Sequence, residues 1–154
     1  MKRRRFLKSS VIVAAAAALP AAAQQSTRFQ PAQDIRPLVE ELTKGAPIEE
    51  GGIDVTLPQL AENGNSVPLL VKVDHPMAPA DFVAAIHVIA ERNPRPLVAS
   101  FHLKPESGRA QVSTRIRLAG TQKVTVLAEM SDRHFRMTQT EVVVTSAACL
   151  DESM

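Results

Sequence analysis

The sequence predicts an all-β domain, an immunoglobulin-like antiparallel β-sandwich of about seven strands. A signal segment and a short N-terminal helix precede it. Three observations carry this. Apolar and polar residues alternate with period two in several short runs from Ile53 onward. Turn residues separate the runs at regular intervals, as in Asn63-Gly64-Asn65 and Asn93-Pro94-Arg95-Pro96. A helical stripe occurs once, ahead of the first run.

The first 23 residues read as a targeting segment. Lys2-Arg3-Arg4-Arg5 is a positive start, and Val11 to Leu19 is an alanine-rich apolar stretch. Ala21-Ala22-Ala23 fits a small-residue cleavage site, so Gln24 is the expected mature N-terminus. The apolar stretch is too short to span a bilayer, and the exported protein is expected to be free of the membrane. Arg3-Arg4-Arg5-Phe6-Leu7-Lys8 resembles the twin-arginine export signal, which implies a periplasmic destination.

Cleavage changes the charge. Of 18 Lys and Arg, five lie in the signal, which leaves 13 against 16 Asp and Glu, a net of −3. No basic run interleaved with aromatic residues remains, and Trp and Tyr are absent, which argues against a nucleic-acid partner.

Residues 24–145 form one domain's worth of chain. Asp34 is placed to cap a helix carrying Ile35, Leu38, Val39 and Leu42 on one stripe, with Pro37 in the first turn and Gly45 closing it. Strands follow at Ile53–Leu57 and Val67–Val73, with residues 58–65 read as a loop. Phe82–Glu91 and Leu97–Lys104 come next. Ala110 to Leu118 alternates with Arg109, Gln111, Ser113, Arg115 and Arg117, a half-buried strand with a basic outer face. Lys123–Met130 and a broken strand over Phe135–Thr145 complete the set.

One strand departs from alternation. Val83, Ala84, Ala85, Ile86, Val88, Ile89 and Ala90 are apolar on both faces, interrupted only by His87. Such a strand is either covered on both sides or sits at an interface. The outer face of a sandwich is normally wet, so Val83, Ala85, Ile86, His87, Val88 and Ile89 are expected to meet a partner protein. A turn centred between Pro94 and Arg95 would set His87 opposite His102. Two histidines without cysteine or carboxylate ligands do not make a zinc site, and they read as polar residues on a partly covered face. Neither a metal nor a cofactor is called for.

Residues 146–154 form a C-terminal arm with the only cysteine, Cys149. No intrachain disulfide can occupy it. An odd cysteine in an exported chain suggests pairing between chains or a free reactive thiol. Chain ends are mobile unless tied down, so the thiol is expected to be reachable. Carrier, intermolecular disulfide and idle thiol all stay open on these residues alone. Catalytic signatures are absent: there is no G-x-S-x-G, H-E-x-x-H, phosphate-cradling glycine loop or C-x-x-C. The chain therefore does not read as an enzyme.

Several segments together resemble the SoxY family, the sulfur-carrier subunit of the bacterial thiosulfate-oxidising Sox system. They are Gly45-Ala46-Pro47-Ile48, Ile53 to Leu57, Ala61-Glu62-Asn63-Gly64-Asn65-Ser66-Val67-Pro68, Val73-Asp74-His75-Pro76-Met77, Asn93-Pro94-Arg95-Pro96 and Ser113 to Gln122. The resemblance runs from about residue 45 to Cys149. It implies a periplasmic immunoglobulin-like sandwich, a heterodimer with a SoxZ-like subunit and transient meetings with other Sox enzymes. It also implies that Cys149 carries thiosulfate-derived sulfur covalently. Where the family arm reads Gly-Gly-Cys-Gly-Gly, this chain has Ala147-Ala148-Cys149-Leu150-Asp151. The cysteine is kept, but the surrounding arm is stiffer, bulkier and more acidic. A family member that docks partners without carrying sulfur is the alternative reading.

Overall fold

The computed structural model describes residues 30–150. The signal segment, the expected mature terminus at Gln24 and the arm residue Asp151 lie outside them.

Helix α1 spans Arg36–Thr43. It starts one residue later than the spacing suggests. Asp34 still serves it: its carboxylate accepts the Arg36 amide at 3.0 Å, satisfying one of the free N–H groups of the first turn. Pro37 sits in that turn, where no intrahelical donor is lost. Lys44 and Gly45 both take positive φ to end the helix.

Nine strands follow: β1 Ile48–Glu50, β2 Ile53–Thr56, β3 Leu60–Ala61, β4 Val67–Val73, β5 Val83–Ala90, β6 Leu97–His102, β7 Gln111–Ile116, β8 Gln122–Met130 and β9 Phe135–Val144. One sheet runs β1-β9-β8-β5-β6 with β3 also on β9, and the other runs β2-β4-β7. The sandwich is thus as predicted, with two additions. β1 and β3 pair with β9 in parallel, β1 in a stretch given no element and β3 inside residues 58–65, expected to be loop. At three and two residues they are too short to show a period, and only β9 specifies them. β9 itself is one continuous strand of ten residues rather than a broken one.

The core lies between the sheets. Val67, Leu69, Val71 and Val73 of β4 face Ile86 and Val88 of β5 and Val124, Val126 and Ala128 of β8. β7 turns Ile116 inward and leaves Arg115 exposed, as its alternation requires.

The apolar strand β5 needs a correction. It is central, flanked by β8 and β6. Val83, Ile86 and Val88 belong to the inter-sheet core. Ala85, His87 and Ile89 lie on the other face, yet are only 1%, 6% and 0% exposed. The chain covers that face itself. Gln33, ahead of α1, bonds the carbonyls of Glu91 and Asn93 at 2.8 and 2.7 Å. α1 then lies over β9, where Ile35, Val39 and Thr43 line a cavity with Met137 and Gln139. Both faces of β5 are satisfied within the chain, so its apolar character requires no partner. Among the described residues, no helix is long and apolar enough to cross a membrane.

Candidate functional site

The arm leaves β9 under tight control. The Thr145 amide bonds the Ala61 carbonyl at 3.0 Å, and its hydroxyl donates to the Glu62 carbonyl at 3.1 Å. Gly64 comes next. Its amide donates to the Ser146 carbonyl at 2.7 Å, and its own carbonyl accepts the Leu118 amide at 2.9 Å. The Ala148 amide then bonds the Leu118 carbonyl at 2.9 Å. Three backbone segments therefore meet at Gly64. A Cβ there would stand 2.4 Å from the Leu118 oxygen and 2.8 Å from the Ala148 nitrogen. The Asn63-Gly64-Asn65 turn is thus more than a loop signal, because its glycine makes room for the arm.

The freely mobile arm expected from the sequence is corrected accordingly. Ala147 is half-buried, and Ala148 is buried and bonded. Cys149 is the first residue past that anchor, and it is exposed. Leu150 is half-buried and turns into a groove of about 430 Å³, lined also by Arg95, Val98, Phe101, Ile116 and Arg117. The thiol therefore projects from the end of the sandwich, between a pinned alanine and a leucine resting on the protein.

A buried amide network supports the anchor. Asn93 donates to the Arg117 carbonyl at 2.8 Å and accepts from the Ala119 amide at 2.9 Å and from Gln122 at 3.1 Å. Gln122 accepts the Arg92 amide at 2.8 Å and donates to the Gly120 carbonyl at 3.2 Å. Both side chains are buried with partners, as buried polar groups must be. They clamp the segment that presents the Leu118 carbonyl to the arm. Neither Asn93 nor Gln122 stood out from the sequence as more than a turn or strand-end residue. The signal was a polar side chain at each end of the two segments that frame Leu118.

His134 is not placed to act on the thiol. His134 sits before β9 and Cys149 beyond its other end, so ten strand residues, roughly 33 Å, separate them. It pairs instead with Asp132 at 2.8 Å. His75 is half-buried and faces Asp81 at 3.2 Å. Among the described residues, no three His, Cys, Asp or Glu side chains converge as a metal-ligand set.

His87 and His102 share a face, but the register differs from the expected one by two. His87 opposes Ser100, and Ala85 opposes His102, with a bulge between Val88 and Ile89. The rings still meet edge to face at 6.4 Å. The His87 Nδ1 lies 2.8 Å from the Ser100 hydroxyl, and Nε2 lies 4.0 Å from Glu129. Burial pushes its pKa below the usual imidazole value; Glu129 opposes this and His102 adds to it. The unfolded chain takes up a proton near pH 6.5 that the folded chain resists. Stability should therefore be full above that pH and fall as pH drops toward the folded value. His134, whose pKa is raised by Asp132, acts in the opposite sense. The test is thus a difference: His87→Gln should flatten the fall in urea midpoint between about pH 7 and 5. An unchanged slope would exclude His87 as its source.

A family model described as sulfur oxidation protein SoxY matches residues 39–149. The chain belongs to the SoxY family. The match ends on Cys149 itself and includes Gly64, Asn93, Leu118 and Gln122. Among solved structures, the sulfur carrier protein SoxY from Chlorobium limicola f thiosulfatophilum is 29% identical. It superposes with a TM-score of 0.60 over 71% of this chain and 94% of its own. A superoxide reductase (neelaredoxin) from Ignicoccus hospitalis is 14% identical, with a TM-score of 0.55 over 61% of this chain and 80% of its own. A putative superoxide reductase from Thermotoga maritima, also 14% identical, gives 0.52 over 78% and 97%. At that identity the reductases share the fold alone. No curated protein sequence matches this chain.

Proposed function

We propose that this SoxY-family chain carries sulfur groups covalently on Cys149 and presents them to partner enzymes. One observation carries the reading: the only thiol of the chain is exposed, just past the anchored part of the arm, where the family match ends. Joining a thiol to thiosulfate forms one S–S bond and releases one proton and two electrons. The carrier supplies only the attachment sulfur, so a partner Sox enzyme must deliver the oxidant. This suits a protein that binds and presents rather than one that turns over substrate.

A SoxZ-like subunit completes the proposed assembly. With β5 covered by its own chain, the exposed apolar pair Leu60 and Val143, register partners on β3 and β9, supports a docking surface there, and Ile48 is the other exposed large apolar residue among those described. The twin-arginine-like start supports export to the periplasm, where a thiol of this exposure meets oxidants and sulfur compounds. The second reading, a docking module that carries nothing, draws on the pinned Ala148 and the bulk of Leu150 beside the sulfur.

Mass spectrometry of protein taken from its native periplasm separates the two. The carrier reading expects sulfur-containing mass additions, removed by reductant and mapped to the peptide holding Cys149. Protein recovered only as free thiol or as adducts of ordinary small thiols, during growth on thiosulfate, would favour the docking module.

A further inference from the structure

The groove beside the arm is open on the side of the sandwich where two edge strands, β6 and β7, face each other. Its floor is apolar, with Val98, Phe101 and Ile116, and its rim is basic. Arg115 on that rim is already engaged, donating to the Ser66 carbonyl and hydroxyl at 3.3 and 3.2 Å. Arg95 and Arg117 make no ion pair with any described residue. The chain enters this groove at Leu150, and the next two residues in sequence are Asp151 and Glu152.

We infer that the groove is a docking site for the chain's own segment from Leu150 through Glu152, which parks the Cys149 arm against the sandwich. Three observations converge on that occupant. The hydrogen bond from Ala148 to Leu118 aims the chain at the groove. Leu150 is half-buried among its apolar lining. Two residue steps beyond Leu150 span at most about 7 Å, which keeps both carboxylates within reach of the rim. Apolar floor meets leucine, and basic rim meets acid. The consequence is a thiol held at the groove mouth when docked and released on a longer tether when not. A partner that needs the sulfur deep in its own site must first lift Leu150. The proposal does not depend on sulfur ever being loaded, so its test is separate from that of the carrier reading.

Cys149 is the only thiol, so a nitroxide label placed on the mature chain reports the arm and nothing else. The unaltered protein at low salt should give a slow-motion spectrum. Leu150→Gly should shorten the label's correlation time several-fold. Asp151→Lys with Glu152→Lys should do the same, and adding Arg95→Glu with Arg117→Glu should restore the slow spectrum. Leu150 lies outside the inter-sheet core, and thermal melting checks that each variant folds. A label as mobile in the unaltered chain as in Leu150→Gly overturns the proposal. So does a charge swap that restores nothing, or immobilisation that grows with protein concentration, which would assign the groove to a second copy.

Discussion

Cys149→Ser should abolish covalent sulfur loading and leave the fold as it was. A serine oxygen cannot form the S–S bond that a carrier needs, and no other cysteine can substitute. The exposure of Cys149 makes the stability side of the prediction equally sharp. Replacing sulfur by oxygen at an exposed position, with the neighbouring anchor on Ala148 intact, should move the unfolding free energy by no more than about 0.5 kcal/mol. Intact mass after exposure to thiosulfate and the partner enzymes should therefore show no addition to the serine protein, while the urea midpoint stays put. Loading of the serine protein at the native rate would end the carrier reading. Loss of loading together with a large loss of stability would mean that Cys149 supports the fold in a way its exposure does not suggest.

What could be read in advance divides along physical lines. β4 and β7 were legible because each buries one face, so alternation is imposed residue by residue from Val67 to Val73 and from Gln111 to Ile116. The covering of β5 was not. An apolar run on both faces says that both are dry, but not what dries them. Here both are buried within the chain, and the lead into α1 is bonded through Gln33 just past the end of β5. β1 and β3 were missed because two or three residues have no period. The His87 register slipped by two because the turn is centred on Asn93, with Ala90 bonded to Pro96, rather than between Pro94 and Arg95, and the one-residue bulge at Val88/Ile89 restores only part of that offset. Slipping by two, unlike slipping by one, keeps the same face, so the two histidines still meet.

The site followed the same division. Cys149 was legible by its uniqueness and its place near the end. The anchor was not, because it consists of backbone bonds from Gly64 and Leu118, and backbone groups carry no sequence signal of their own. Only the glycine betrays it. A turn glycine with ordinary φ, such as Gly64, has no conformational reason to be glycine, so the reason must be space.

Gly64→Ala should therefore be costly out of proportion to one methyl group. The added carbon would meet the Leu118 oxygen, the Ala148 nitrogen and, at 3.0 Å, the Ser146 oxygen. All three are backbone atoms, so no side-chain rotation relieves the contact. Either the 63–65 turn withdraws or the arm does, and each route breaks bonds: Gly64 to Ser146 and Leu118 to Gly64 in the first case, Ala148 to Leu118 in the second. Overpacking of this kind costs about 1–3 kcal/mol. The lower urea midpoint should come with faster hydrogen exchange at the Ala148 amide, since the bond protecting it is lost or loosened. Serine at 64 places the same Cβ and should behave like alanine. The two readouts together make the prediction specific to the anchor: a fall in stability with Ala148 exchange unchanged would mean that the turn yields and the arm holds. Native stability with native exchange would show that Gly64 is not the spacer on which the arm depends.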